Sequence, residues 1–181
     1  MLVRAATECE LPVIERLYER VIAAMHGMPY DILWEMGVHP TRERLRDAAR
    51  GGSLLVAAEA DGEASICGAL ILDGNQAAGY RDIPWGIAAA PERVRVIHLL
   101  AVDSDMRGRG AGRALMAGAI DAARTQGAET IRLDVFDNNK PAYNLYKACG
   151  FADRGLYTLD VGDGFTHAAN LMELDLRGDA R

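Results

Sequence analysis

Nine consecutive residues, Val94 to Val102 (VRVIHLLAV), are apolar except for Arg95 and His98. A run of this length without polar alternation reads as a central strand buried on both faces. It leads directly into Asp103–Arg113, DSDMRGRGAGR. Beyond Gly112, Leu115, Met116, Ala119, Ile120 and Ala123 recur as one apolar helical stripe, closed by Gln126-Gly127. Strand, glycine loop and helix in succession require a covered sheet with helices packed on it, an α/β architecture. Gly108, Gly110 and Gly112 let the backbone approach a ligand, and the helix start offers unpaired N–H groups and a positive dipole end. Arg107, Arg109 and Arg113 add charge-assisted donors suited to phosphate oxygens. The loop is an anion cradle by construction, and a pyrophosphate fits it best.

The rest of the chain supplies the layers. Leu2 to Ala6 reads as a short strand, and Thr7 with Glu10 forms a capping box. Leu11, Ile14, Leu17, Tyr18, Val21, Ile22 and Met25 then mark a helix that Gly27, Met28 and Pro29 break. A second helix is expected over about Tyr30 to Met36, and a third from Thr41 to Gly51-Gly52. Ser53 to Ala60 and Ala64 to Leu72 are strands joined at Asp61-Gly62, a hairpin signal. Asp73 to Arg93 is too long and polar for a tight turn and reads as a functional loop. Glu129 to Phe136 is a strand. Asp137-Asn138-Asn139 then caps a helix with Pro141 in its first turn, ending at Cys149-Gly150. Gly155 to Val161 and Ala168 to Leu176 close the chain as antiparallel strands around Gly162-Asp163-Gly164. The expectation is a single α/β domain over 1–181 with a mixed sheet.

Composition narrows the partners. Twenty Lys+Arg against 26 Asp+Glu give a formal charge of -6, which speaks against nucleic acid because such binding needs a basic face. No run of about 18 apolar residues occurs, so no membrane partner is expected, and the N-terminus lacks the apolar core of a signal peptide. Cys9, Cys67 and Cys149 are odd in number and far apart, without a CxxC pair. That argues against a disulfide framework and for a reducing cytoplasm. His26, His39 and His167 form no helical ligand pair, so no metal is expected.

Two common nucleotide loops are excluded. Counting G-x-G-x-x-G from Gly108 or Gly110 puts Arg113 or Leu115 where the last glycine belongs, and no Gly-Lys-Ser/Thr triplet is present. Arg107-Gly108-Arg109-Gly110-Ala111-Gly112 instead resembles the Arg/Gln-x-x-Gly-x-Gly/Ala signature of the GCN5-related N-acetyltransferases, the GNAT family. Asn139, Ala142, Tyr146, Gly150 and Phe151 match a second element of that family, in the right order and on the right helix. The specific motifs cover Val94 to Phe151. The resemblance implies a mostly antiparallel sheet flanked by helices and splayed between the fourth and fifth strands. It also implies acetyl-CoA as co-substrate and direct acetyl transfer to an amine in a ternary complex. The amides of Gly108, Arg109, Gly110, Ala111 and Gly112, with Arg107 and Arg113, would hold the pyrophosphate. Leu100, Ala101 and Val102 would present the backbone groups that bond the thioester carbonyl and the pantetheine arm. Asn139 and Ala142 would face the cofactor from the far side of the splay. A strand N–H in a dry site is a suitable donor to a developing oxyanion.

Tyr146 occupies the family's general-acid position, and a phenol stays protonated at neutral pH. Periodicity alone would make it a core tyrosine. His98 interrupts the buried strand where some members carry a glutamate base; an imidazole can accept the amine proton, or can be a hydrogen-bonded core residue. Tyr30, Asp31 and Trp34 would wall the pocket of a small-molecule or peptide amine, the aromatics stacking and the carboxylate pairing with a cation; equally, the aromatics could simply pack. A homodimer through the C-terminal strands is a family-level expectation. The competing functional class is a non-catalytic acyl-CoA-binding regulatory or sensor module.

Overall fold

Leu54–Ala58 and Ile66–Asp73 carry apolar side chains at almost every position, and both faces of these strands are buried. In the computed structural model, which describes residues 1–59, 66–106, 108–160 and 166–178, they lie inside a seven-stranded sheet. The elements are β1 (Leu2–Ala5), α1 (Leu11–Met25), α2 (Arg42–Arg50), β2 (Leu54–Ala58), β3 (Ile66–Asp73), β4 (Val94–Val102), α3 (Ala111–Thr125), β5 (Thr130–Phe136), α4 (Lys140–Ala148), β6 (Ala152–Asp160) and β7 (Thr166–Asp175). The strand order is β1-β2-β3-β4-β5-β7-β6. Every neighbouring pair is antiparallel except β4 and β5. The expected turns at Asp61-Gly62 and Gly162-Asp163-Gly164, and Arg107, lie outside the described residues.

Two apolar layers sandwich the sheet. Alternate side chains of β2, such as Leu55 and Ala57, pack with Leu115, Met116, Ala119 and Ala123 of α3. Leu54 and Val56 point the other way, onto Ile14, Leu17, Tyr18 and Val21 of α1 and Leu45 of α2. Each fully buried Leu or Ile contributes on the order of 1.5–3 kcal/mol. Gly68 in mid-strand is required by this packing, because a Cβ there would stand 2.8 Å from Leu115 Cδ1.

A bulge in β4 sets the geometry of everything beyond it. Ile71 pairs with His98 and Ala69 with Ala101, so two steps along β3 match three along β4, and Leu99 takes φ +55°. The side-chain parity therefore flips. Leu99 and Ala101 face α1, whereas Leu100 and Val102 join Ile97 on the α3 side. The buried Tyr18 hydroxyl donates to the Leu99 carbonyl at 2.7 Å and holds the distortion. On its other edge β4 pairs with β5 only at Val94–Thr130, Arg95–Ile131 and Val96–Arg132. Beyond these three pairs the strands part, and the expected splay is present.

The helix expected over Tyr30–Met36 is absent. Asp31 captures the N–H groups of Gly27 and Leu33, each at 2.9 Å, and such short-range side-chain bonds compete with helical ones. Leu33 is turned to φ +56°, and Glu35 and His39 exchange backbone hydrogen bonds that close a small irregular loop.

A buried carboxylate organises the long β3–β4 loop. Glu173 of β7 is 1% exposed. One oxygen accepts from the backbone N–H groups of Gly86 (2.8 Å) and Ile87 (3.2 Å) and from Arg154 Nε (3.1 Å). The other accepts from Arg132 Nε at 3.2 Å and the Thr130 hydroxyl at 3.4 Å. Replacing Glu173 with Ala leaves the Arg132 guanidinium buried without its counter-charge, so urea unfolding should show a loss of about 3–5 kcal/mol. Glu10 provides a pH probe. The Arg4 hydrogen bonds, aided by the Thr7 N–H and hydroxyl and opposed by burial, lower its carboxyl from 4.5 to about 2. Because the folded value is depressed, this pair stabilises fully above about pH 4.5 and the contribution disappears as pH falls toward 2. Glu10→Gln should flatten the pH dependence of unfolding in that window; an unchanged slope would contradict the assignment.

Candidate active site

The glycine loop and the flipped end of β4 form two walls of one groove of about 690 Å³. Leu100, Ala101 and Val102 line it from the sheet, Gly108 and Gly110–Arg113 from the loop and α3, and Asn139, Ala142 and Leu145 from α4. Gly110, with φ +86°, occupies the N-cap of α3 and aims the helix start into the groove. The first-turn N–H groups there have no intrahelical acceptor. Together with Arg113 on the rim they fit a phosphate-bearing ligand such as acetyl-CoA. Arg109 is exposed beside the loop. Asn139 caps α4, its side chain accepting from the Ala142 N–H at 3.3 Å, so the far wall is built from the capping residue itself.

Val21 and Met25 of α1 also line the groove, and a polar cluster occupies the α1 face of the sheet at the parting of β4 and β5. His98 Nε2 lies 3.1 Å from the Asn75 carbonyl and 3.2 Å from Asp73 Oδ1. Both neighbours are acceptors, so Nε2 carries the proton and the free lone pair of a neutral ring is on Nδ1. Burial alone would raise Asp73, but the hydrogen bonds from His98 and the Asn75 N–H, with the nearby Arg44, bring its carboxyl down to about 2. Across the gap, Asp134 of β5 accepts from the Tyr80 hydroxyl at 2.6 Å, and His167 Nε2 lies 3.8 Å from its other oxygen. Burial would raise this carboxyl too, but His167 and Tyr80 outweigh it and hold Asp134 below its ordinary value. Its side chain is still 29% exposed. His39 interacts electrostatically with Asp134, His98, His167 and Arg44, and burial is the main cause that lowers its pKa. His167 stacks on Phe136 with ring centres 3.8 Å apart.

The residues singled out in the sequence divide between these two regions. Tyr146 is buried on α4, against the Phe151 ring at 6.0 Å. Burial, and secondarily the Asp134 charge, raise its phenol above the ordinary value, and its hydroxyl has no hydrogen-bond partner among the described residues. Tyr30 lines the groove. Trp34 lies between Tyr18 and His39, with ring centres 6.2 and 5.8 Å away. The Asp31 carboxylate is engaged by its own loop, and its carbonyl accepts from Asn138 Nδ2 at 2.8 Å. Sequence reasoning named Tyr80 as an aromatic candidate from the long loop, and passed over Asp73, Asp134, His39 and His167 as candidate site residues. No signal in the sequence sets them apart: Asp134 shares TIRLDVF with Thr130 and Arg132, and His167 shares THAANLMELD with Asn170, Glu173 and Asp175. Among the described residues, no group of three or more His, Cys, Asp or Glu could hold a metal ion, and no helix is long and apolar enough to cross a membrane.

Comparison with known proteins identifies the family and the fold. An uncharacterized N-acetyltransferase of Methanocaldococcus jannaschii is 38% identical over 73 residues, 40% of this chain and 32% of that protein, so the match spans about a third of the relative's length. A Staphylococcus aureus Mu50 protein assigned as an acetyltransferase superposes with TM-score 0.70 at 25% identity, covering 98% of this chain and 100% of its own. The yncA protein of Salmonella typhimurium, assigned as an acetyltransferase and solved with its cofactor acetyl-CoA, shares the fold with TM-score 0.65 at 18% identity, covering 99% of this chain and 96% of its own. Residues 17–151 match the profile of the Acetyltransferase (GNAT) family. With a profile match that runs from α1 through the glycine loop to the end of α4, on this splayed sheet, the chain belongs to the GNAT acetyltransferase family.

Proposed function

We propose that the protein is an acetyl-CoA-dependent N-acetyltransferase that passes the acetyl group directly to a primary amine in a ternary complex. The observation that carries this reading is the parting of β4 and β5, with the anion-binding groove at one side and the Asp134–His98 cluster at the other. Acetyl-CoA supplies the activated thioester. The loop amides from Gly108 to Gly112, with Arg107, Arg109 and Arg113, hold its pyrophosphate. Main-chain groups of Leu100, Ala101 and Val102 orient the pantetheine arm and stabilise the charge developing on the carbonyl oxygen. Asn139 and Ala142 close the far wall.

On the acceptor side, Asp134 receives the ammonium. His98 takes its proton at Nδ1, and Asp73 stabilises the imidazolium through Nε2. As the nitrogen–carbon bond forms and the carbon–sulfur bond breaks, Tyr146 protonates the leaving thiolate. Its raised pKa keeps that proton in place until then. Trp34 and Tyr30 wall the acceptor entrance, and Asp31 fixes the loop that carries them.

Thiol release in a panel of amines with acetyl-CoA tests the reading; tight acetyl-CoA binding with no turnover on any amine would overturn it. Tyr146→Phe should lower kcat by roughly 10²-fold or more with acetyl-CoA affinity unchanged, and full turnover would remove the acid assignment. Gly110→Ala forces a side chain into the left-handed conformation, at about 1–2 kcal/mol, and equilibrium titration should show acetyl-CoA binding weakened by about 5- to 30-fold.

A further inference from the structure

Arg44 stands where its own helix gains least from it. Thr41 is the N-cap of α2, and its hydroxyl accepts from the Arg44 N–H at 3.0 Å, so Arg44 holds the third helical position. A capping box would place Glu or Gln there, and a cation in the first turn meets the positive end of the helix dipole. The side chain instead crosses to β3, where Arg44 Nη2 donates to Asp73 Oδ2. A residue that works against its local element in this way points to a role set by the tertiary structure.

That contact completes the set of donors around Asp73. Oδ1 accepts from the Asn75 N–H at 2.8 Å and faces His98 Nε2 at 3.2 Å. Oδ2 accepts from Arg44 and from Asn75 Nδ2, the latter at 3.2 Å. Of these donors Arg44 alone brings a permanent charge, and the Asp73 side chain is only 15% exposed to water. With neutral donors alone, the carboxylate would favour the charged form of the ring beside it, and a second proton would occupy Nδ1.

We propose, building on the transferase reading above, that Arg44 is a positioning residue for proton transfer: its guanidinium offsets the Asp73 charge, so that Asp73 fixes the His98 tautomer while Nδ1 stays free to accept the amine proton. The other ionisable groups around His98 are His39 of the α1–α2 loop, Asp134 of β5 and, around that carboxylate, His167 of β7 and Tyr80 of the β3–β4 loop. Replacing Arg44 leaves all of these in place. His39 also feels the Arg44 charge, so the imidazoles have to be followed one by one.

Arg44→Gln removes the charge and keeps a donor toward Asp73, whereas Arg44→Lys keeps the charge. Ring nitrogen NMR against pH reads protonation directly, with the His98 signals assigned by their loss in His98→Gln. In Arg44→Gln the His98 titration should move upward by about one pH unit, and in Arg44→Lys it should stay at the wild-type midpoint. The acid limb of kcat/KM should move with it. The alkaline plateau and acetyl-CoA affinity should be retained, since Arg44 does not line the groove. An unmoved His98 titration in Arg44→Gln, an equal shift in Arg44→Lys, or turnover lowered equally at every pH would overturn the proposal. A shifted titration in a protein whose wild type turns over no amine would overturn the transferase reading and leave the Arg44–Asp73–His98 coupling in place.

Discussion

The hydrogen bond from Tyr18 to the Leu99 carbonyl holds one extra residue in β4, and the division of the molecule into two working faces follows from it. In a regular strand, Leu100 and Val102 would share a face with His98. The bulge sends them to the α3 side instead, where they become a wall of the groove, and leaves His98 and Leu99 adjacent on the α1 side. A bulged strand bends and twists more strongly than a regular one. That bend coincides with the end of pairing to β5 after Val96. The groove and the polar cluster therefore flank the same short stretch of chain.

Charge is distributed unevenly across the second face. Glu173 is buried but shared between two guanidinium groups and two backbone amides, the arrangement that makes burial of a charge tolerable. Asp134 has a hydroxyl and an imidazole for neighbours, and is the carboxylate left open to the gap. A cation arriving there gains a partner that the protein's own side chains have already ordered. The formal charge of -6 is thus informative only once its members are located: Glu173 locks structure, whereas Asp134 keeps part of its surface exposed.

Most of the fold was legible because its signals are local. The apolar run of β4, the stripe of α3, and the Asn139 cap with Pro141 on α4 each depend on residues a few positions apart, and each element formed where expected. Tyr30–Met36 carried a plausible helical pattern, but Asp31 bonds to the loop backbone overrode it. The glycine-loop groove has a local signal too, since one contiguous segment builds most of it. The polar cluster on the α1 face was not legible. Asp73, Tyr80, Asp134, His39 and His167 come from separate segments that only the β4-β5-β7 order and the folded loop bring together. From a single sequence, each except the aromatic Tyr80 looks like an isolated polar residue.

The loop between β3 and β4 is fastened at Asn75 by His98, at Tyr80 by Asp134 and at Gly86–Ile87 by Glu173. Connecting segments ordinarily absorb changes in length because little holds them between their ends. Here the spans between fastenings are only a few residues, so an insertion in any of them would pull a pin from the sheet. Variation in this loop is confined to exchanging side chains on a fixed backbone. Related chains that kept these pins could therefore diverge in what the loop touches while preserving its length and path.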